Sequence, residues 1–156
     1  MKRIGIPVLI LVGCMCFHAA ARASETAAPE TIPFETICTG MYANGIVERT
    51  ALVVNDADGF TSVWEMIAQG VFPAPEAPSI DFETKTVIFV SSGVMPSGGY
   101  DVTIERIVAA DGSLVVYVST HEPPEDVGVT AALTQPYHGI AVDKTDLPVR
   151  FHWEAR

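Results

Sequence analysis

A phosphate-binding loop needs two glycines with four residues between them, followed by Lys and then Ser or Thr. The stretch SSGVMPSGGYDVTI, Ser91 to Ile104, supplies Gly93 and Gly98 at that spacing but places Gly99 and Tyr100 where the cation and the hydroxyl must stand. Phosphate cradling is therefore excluded. Ser97 is the hydroxyl of this turn that could attack a substrate, yet no G-x-S-x-G frame surrounds it and no histidine stands at a spacing that implies a base. His121, His138 and His152 each stand alone, without the H-x-H, H-x-x-x-H or Cys-paired spacing of a zinc site, and each reads as a surface or strand-end residue. Glu122, Glu125 and Asp126 lie in a Pro-rich stretch without the regular ligand spacing of a calcium loop, and read as a solvated acidic loop. No catalytic residue, metal ligand or cofactor is expected.

What remains for PSGGY is backbone work. Pro96 fixes φ, and Gly98 and Gly99 reach positive φ without a Cβ clash, so the segment can reverse the chain between TVIFV and YDVTI and let another segment pass close over it. Tyr100 is expected to lay its ring across the glycines and find a backbone partner for its hydroxyl.

The elements around this turn follow from periodicity. FETICTGMY (Phe34 to Tyr42) and IVERTALVV (Ile46 to Val54) read as strands of an opening hairpin turned at Asn44-Gly45. NDADGFTSVWEMIAQG changes to a helical period: Asp56 or Asp58 caps, Phe60, Val63, Trp64, Ile67 and Ala68 share one face, and Gly70 closes the end. VFPAPEAPS has three prolines in nine residues and is a surface connection. TVIFV (Thr86 to Val90) is apolar on both faces, as a central strand is. YDVTIERIV and SLVVYVST form a hairpin around Asp111-Gly112, an irregular stretch runs from His121 to Pro136, and YHGIAV and PVRFHW close the chain. The aromatics Tyr137, Phe151 and Trp153 read as core. The sum is an α+β domain: a mostly antiparallel, twisted sheet of about seven strands with one amphipathic helix packed on it.

Before this domain, Lys2 and Arg3 precede the apolar run IGIPVLILVGCMCF and the small-residue stretch HAAARA, the pattern of an export signal cut after Ala23. The alternative is a lipoprotein signal ending before Cys14 in Leu11-Val12-Gly13-Cys14, which would anchor the protein through a lipid on that cysteine. Either route exports the protein to the periplasm or cell envelope of a bacterium. Cutting after Ala23 leaves 156 − 23 = 133 residues, one domain's worth, in which residues 24–33 (SETAAPETIP) form a flexible tether and residues 34–156 the domain. That chain carries six basic and 19 acidic residues, 6 − 19 = −13, which argues against nucleic acid or anionic lipid as a partner. Cys38 survives cleavage after Ala23 unpaired and reads as a buried apolar filler.

The run IDFETKTVIFVSSGVMPSGGYDVTIERI, Ile80 to Ile107, resembles the core signature of the PrcB C-terminal-like domain family: Asp-Phe before a hydrophobic strand, a Gly, then Pro-Ser-Gly-Gly-Tyr and an alternating strand. The helix with Trp64, the strand LVVYV, a Pro-rich loop and TQPYHGIAV follow the family order, so the resemblance spans Val54 to Trp153. It implies similarity to exported or surface-attached domains named for an accessory subunit of a bacterial protease complex, a stabilising partner and not a hydrolase. No catalytic residue transfers. Ser97, Gly98, Gly99 and Tyr100 match as fold markers and as a candidate binding edge. The expected function is non-catalytic binding of a partner protein such as an envelope or secreted protease. Two alternatives stand beside it: an inhibitor or chaperone-like module presenting VFPAPEAPS or HEPPEDVGVT, and a small-ligand or metal-binding domain.

Overall fold

The computed structural model describes residues 30–155. The expected signal, Cys14, Cys16 and the first part of the tether lie outside the described residues. Eight strands and one helix follow in the order β1 (Glu30–Ile32), β2 (Glu35–Gly40), β3 (Thr50–Val54), α1 (Ala57–Ile67), β4 (Lys85–Ser91), β5 (Asp101–Ala110), β6 (Ser113–His121), β7 (Tyr137–Asp143) and β8 (Val149–Ala155). They form two four-stranded sheets, β1-β5-β6-β8 and β2-β7-β4-β3, antiparallel throughout except for the parallel β6–β8 pair. The α+β class holds, with the strands divided between two sheets.

β4 shows how the layers are held. It lies between β3 and β7, and all its residues after Lys85 are buried. Ile88 and Val90 point into the space between the sheets, where they meet Val102, Ile104 and Ile107 of β5 and Leu114, Val116 and Val118 of β6. Val87 and Phe89 point the other way, onto Phe60, Val63 and Ile67 of α1. A strand apolar on both faces is thus the middle layer of three: helix, sheet, sheet.

The helix starts where the sequence says. Asp56 is extended (φ −147°) and its carboxylate accepts the Gly59 N–H at 2.7 Å. Three apolar residues at a spacing of three and four turn one stripe inward. The Pro-rich connection is pinned to it by the Trp64 indole, which donates to the Pro75 carbonyl at 2.9 Å.

β5 alternates inward Val102 and Ile104, then skips to Ile107. The pairing with β6 shifts between Ile104 and Arg106, so Glu105 is the extra residue of a bulge and Ile107, not Arg106, returns to the core. Arg106 instead lays its guanidinium over the Tyr117 ring, 3.6 Å from the centroid. At the other end Asp111 (φ 50°) and Gly112 (φ 69°) both take positive φ, the geometry that a two-residue hairpin turn requires.

Three expectations are corrected. β2 and β3 do not pair as a hairpin, because β7 and β4 lie between them. Asn44-Gly45 is spent elsewhere: the Gly45 N–H donates to Met66 O at 2.8 Å and the Asn44 amide to Gln69 O at 3.0 Å, holding buried Ala43 and Ile46 beneath the helix end. The last part of the expected tether, Glu30–Ile32, is a strand on the edge of β5, with Ile32 and Phe34 against the inter-sheet core, so the count is eight strands and not seven. Finally, the turn at PSGGY reverses no hairpin; it carries the chain from one sheet to the other.

Candidate functional site

The PSGGY turn lies where β4 leaves its sheet. The Met95 and Thr134 backbones exchange hydrogen bonds of 2.7 and 3.1 Å, the Gly98 N–H donates to Thr130 O at 2.9 Å, and the Thr134 hydroxyl donates to Ser97 O at 2.8 Å. A Cβ on Gly98 would strike the Thr130 hydroxyl, and one on Gly99 (φ +86°) would lie 2.9 Å from Pro123 and 3.0 Å from Val129. The glycines therefore admit the loop from His121 to Pro136, which crosses over the turn. Ser97 donates its hydroxyl to the neighbouring Gly98 carbonyl at 3.0 Å. Tyr100 departs from expectation: among the described residues its hydroxyl has no hydrogen-bond partner, and Pro123, Val129 and Thr130, not its ring, lie closest to where the glycines would carry a Cβ.

The histidines are dispersed in role. His121 ends β6 and is exposed; His152 is exposed, 3.4 Å from Glu154 and edge-on to Tyr117. His138 is different: only 6% exposed, it bridges the two sheets from β7. Its Nδ1 accepts the Ile104 N–H at 2.9 Å beside the β5 bulge, and its Nε2 lies 2.9 Å from the Thr36 hydroxyl of β2. Because a backbone N–H only donates, Nδ1 keeps its lone pair and the ring proton sits on Nε2, facing Thr36. Burial holds this imidazole below the usual histidine range, against a smaller opposing pull from Asp101. His138 is a fastener between layers.

Cys38 is buried and its thiol is pushed up to about 11 by burial, partly countered by a hydrogen bond from the Gly139 backbone, so it is a protonated filler. Tyr137 stacks on Phe89 at 5.8 Å, and Phe151 and Trp153 pack on the inter-sheet core. Glu122, Glu125 and Asp126 are exposed on the long loop. Among the described residues no three His, Cys, Asp or Glu side chains are grouped to hold a metal ion.

Sequence reasoning missed a cluster of exposed apolar side chains at the same end of the molecule. The segments 41–47, 93–95 and 133–135 are laced by backbone hydrogen bonds: Gln135 N to Met41 O (2.8 Å), Ala43 N to Gln135 O (3.1 Å), Val94 N to Val47 O (3.0 Å) and the Met95–Thr134 pair. On them stand Met41 (40% exposed), Tyr42 (54%), Val47 (67%), Val94 (36%) and Leu133 (63%). Met41, Tyr42 and Val47 fall in stretches read from sequence as strands, whereas β2 ends at Gly40 and β3 begins at Thr50, and only the pairing of distant loops brings these segments together.

Fold and surface together define a small helix-backed β-sandwich of the α+β class. More narrowly, residues 86–143 match the family model described as PrcB C-terminal. The match runs from β4 through β7 and holds the PSGGY turn inside it, so this part of the chain is similar to a PrcB C-terminal domain. No curated protein and no solved structure matches the chain.

Proposed function

We propose that this is a non-catalytic accessory domain that binds a partner protein through the loop cluster of Met41, Tyr42, Val47, Val94 and Leu133. The carrying observation is the exposure of five large apolar side chains on three segments held rigid by their own hydrogen bonds. Single exposed apolar residues are ordinary on a protein surface, whereas a group on a pre-ordered frame favours association because little entropy is lost on binding. Residues 30–155 carry 18 acidic side chains against five Lys or Arg, 5 − 18 = −13; Glu48 directly follows the segment 41–47, and Glu125 and Asp126 stand on the loop leading to 133–135. The fitting partner has an apolar centre framed by basic residues. The family match supports a component of a protease-related complex as that partner.

The N-terminal apolar run and small-residue stretch support export to the periplasm or envelope, with attachment at Cys14 as the variant route. Mass spectrometry of the mature N-terminus distinguishes a start at Ser24 from a lipidated Cys14.

The test is capture from an envelope extract with the purified domain and with a Val47→Asp, Leu133→Asp variant as control. A partner in stoichiometric amount held by the parent and lost by a variant of unchanged melting temperature supports the reading. A partner retained equally by both overturns it.

A second reading has one observation of its own. Phe72, in the Pro-rich connection, is 99% exposed and followed by Pro73, a side chain offered on a loop that Trp64 anchors. A proline after the presented residue resists cleavage, as an inhibitory loop requires. Slowed turnover by a serine protease of aromatic specificity, lost in Phe72→Ala, supports this reading; unaffected turnover removes it.

A further inference from the structure

Four strands stand at the edges of the two sheets, and three of them carry a device that discourages a further strand. β1 is three residues long and opens on Glu30, β2 shifts register between Thr36 and Cys38, and β8 places Arg150, His152 and Glu154 along its length. β3 carries none: TALVV, Thr50 to Val54, has no charge and no proline and pairs with β4 in unbroken register. Its outer side also has hydrogen-bonding groups to offer. The Ser92 N–H donates to Pro136 O at 3.1 Å, towards β7, so the alternation of an antiparallel ladder turns the backbone groups of Ser91, Phe89 and Val87 towards β3. Their opposites Thr50, Leu52 and Val54 are bonded to β4, which leaves the N–H and C=O of Ala51 and Val53 directed outwards, where the sheet ends.

Beside this edge runs an apolar groove of about 360 Å³, lined by Leu52 and Val54 of β3 and by Gly59, Ser62, Val63 and Met66 of α1. Val53 and Met66 are 38% and 36% exposed. A strand edge next to a helix groove is an arrangement that takes up an extended peptide: the main chain extends the ladder, and every second side chain drops into the groove. The charges around it choose the occupant. Asp58 and Glu65 stand four residues before and three after Ser62, on the same side of the helix, Asp56 lies at one end of the groove and Glu48 precedes the strand at the other, all exposed. Against them stands Lys144, whose Nζ donates to Asn55 O at 2.7 Å, while Arg49 turns to the Trp153 ring of the other sheet. A second copy of this chain fits poorly, because antiparallel pairing about Leu52 would set Glu48 of one copy opposite Asp56 of the other.

We infer that the β3 edge takes an extended segment of a partner protein as a fifth strand of its sheet, apolar at every second position and carrying Lys or Arg at its ends. The site is distinct from the loop cluster and stands whether or not that cluster binds.

The experiment is an NMR titration of the purified protein with the blocked peptide Lys-Val-Thr-Val-Thr-Val-Lys and with its Glu-ended counterpart, following the backbone amides of Ala51, Val53, Ser62 and Met66. The Lys-ended peptide is expected to give saturable shifts at all four, and the Glu-ended one to bind roughly tenfold more weakly, since each end exchanges an attraction for a repulsion. Val53→Pro removes an outward donor and none of the bonds to β4; it should weaken the Lys-ended peptide by roughly tenfold, read at Ala51 and Ser62. Glu65→Lys, on the exposed face of the helix, should narrow the difference between the two peptides, and it carries the test if Val53→Pro lowers the melting temperature. No saturable shift with the Lys-ended peptide, equal affinity for both peptides, an unchanged difference in Glu65→Lys, or undiminished binding by a folded Val53→Pro overturns the proposal. So does a shift of the same amides on raising the protein concentration alone, the mark of a second copy on this edge.

Discussion

Acidification should loosen the domain through one residue, His138, and the size of the effect follows from its two hydrogen bonds. The folded protein holds the neutral ring, since Nδ1 must accept from Ile104 N–H and burial disfavours the charge. The unfolded chain protonates at the ordinary value of 6.5. The folded value is therefore the lower one, and below 6.5 the unfolded state binds the proton that the folded state refuses. Stability then falls as the pH falls through this range, by at most about 1.4 kcal/mol per pH unit for the one proton. For a domain of this size each kcal/mol lost lowers the melting temperature by roughly 3–6 °C.

Carboxylates also titrate near the bottom of this range, so the comparison that isolates His138 is with His138→Asn. The Asn Oδ1 stands close to where Nδ1 was and still accepts from Ile104, while the group no longer titrates. The variant should lose about 1 kcal/mol at pH 7.5 with the Thr36 contact. It should lose less stability than the parent on going to pH 5. Urea unfolding at the two pH values measures both. Equal pH dependence in parent and variant, or an imidazole seen by NMR to protonate near 6.5 in the folded protein, refutes the argument.

Other consequences are simpler. Asp56→Ala removes the acceptor of the Gly59 N–H and should cost about 1 kcal/mol, read by chemical denaturation. Gly98→Val drives a side chain into the Thr130 hydroxyl and should cost about 1–3 kcal/mol, whereas Gly70→Ala, where nothing stands within 4 Å of the added Cβ, should cost only the strain of its φ of +74°. With its thiol at about 11, Cys38 should react with an alkylating reagent at pH 8 over a hundredfold more slowly in the native protein than in urea.

Local chemistry made much of this legible in sequence. The cap at Asp56, the stripe of Phe60, Val63 and Ile67, the doubly apolar β4 and the Asp111-Gly112 turn each rest on neighbours in the chain, and each is where the pattern places it. What failed was partnership over distance. Asn44-Gly45 has the composition of a hairpin turn, but its hydrogen bonds go to Met66 and Gln69, a choice set by the helix packing above it. Glu30–Ile32 has no apolar period because only Ile32 meets the core, and it becomes a strand through the free edge of β5. His138 looks like any lone histidine until two sheets close around it. The candidate surface is of the same kind: Val47, Val94 and Leu133 are far apart in sequence and are joined by loop-to-loop hydrogen bonds.

Partner binding through the loop cluster is tested most directly by hydrogen exchange on the domain alone and in complex with its captured partner. The amides of Ala43, Gly45, Val94, Met95 and Gln135 are hydrogen-bonded in the isolated domain and so exchange slowly enough to follow. Added protection over residues 41–47, 93–95 and 133–135 is the predicted result. Protection confined to α1 or to the β8 edge, with those three segments unchanged, would contradict it.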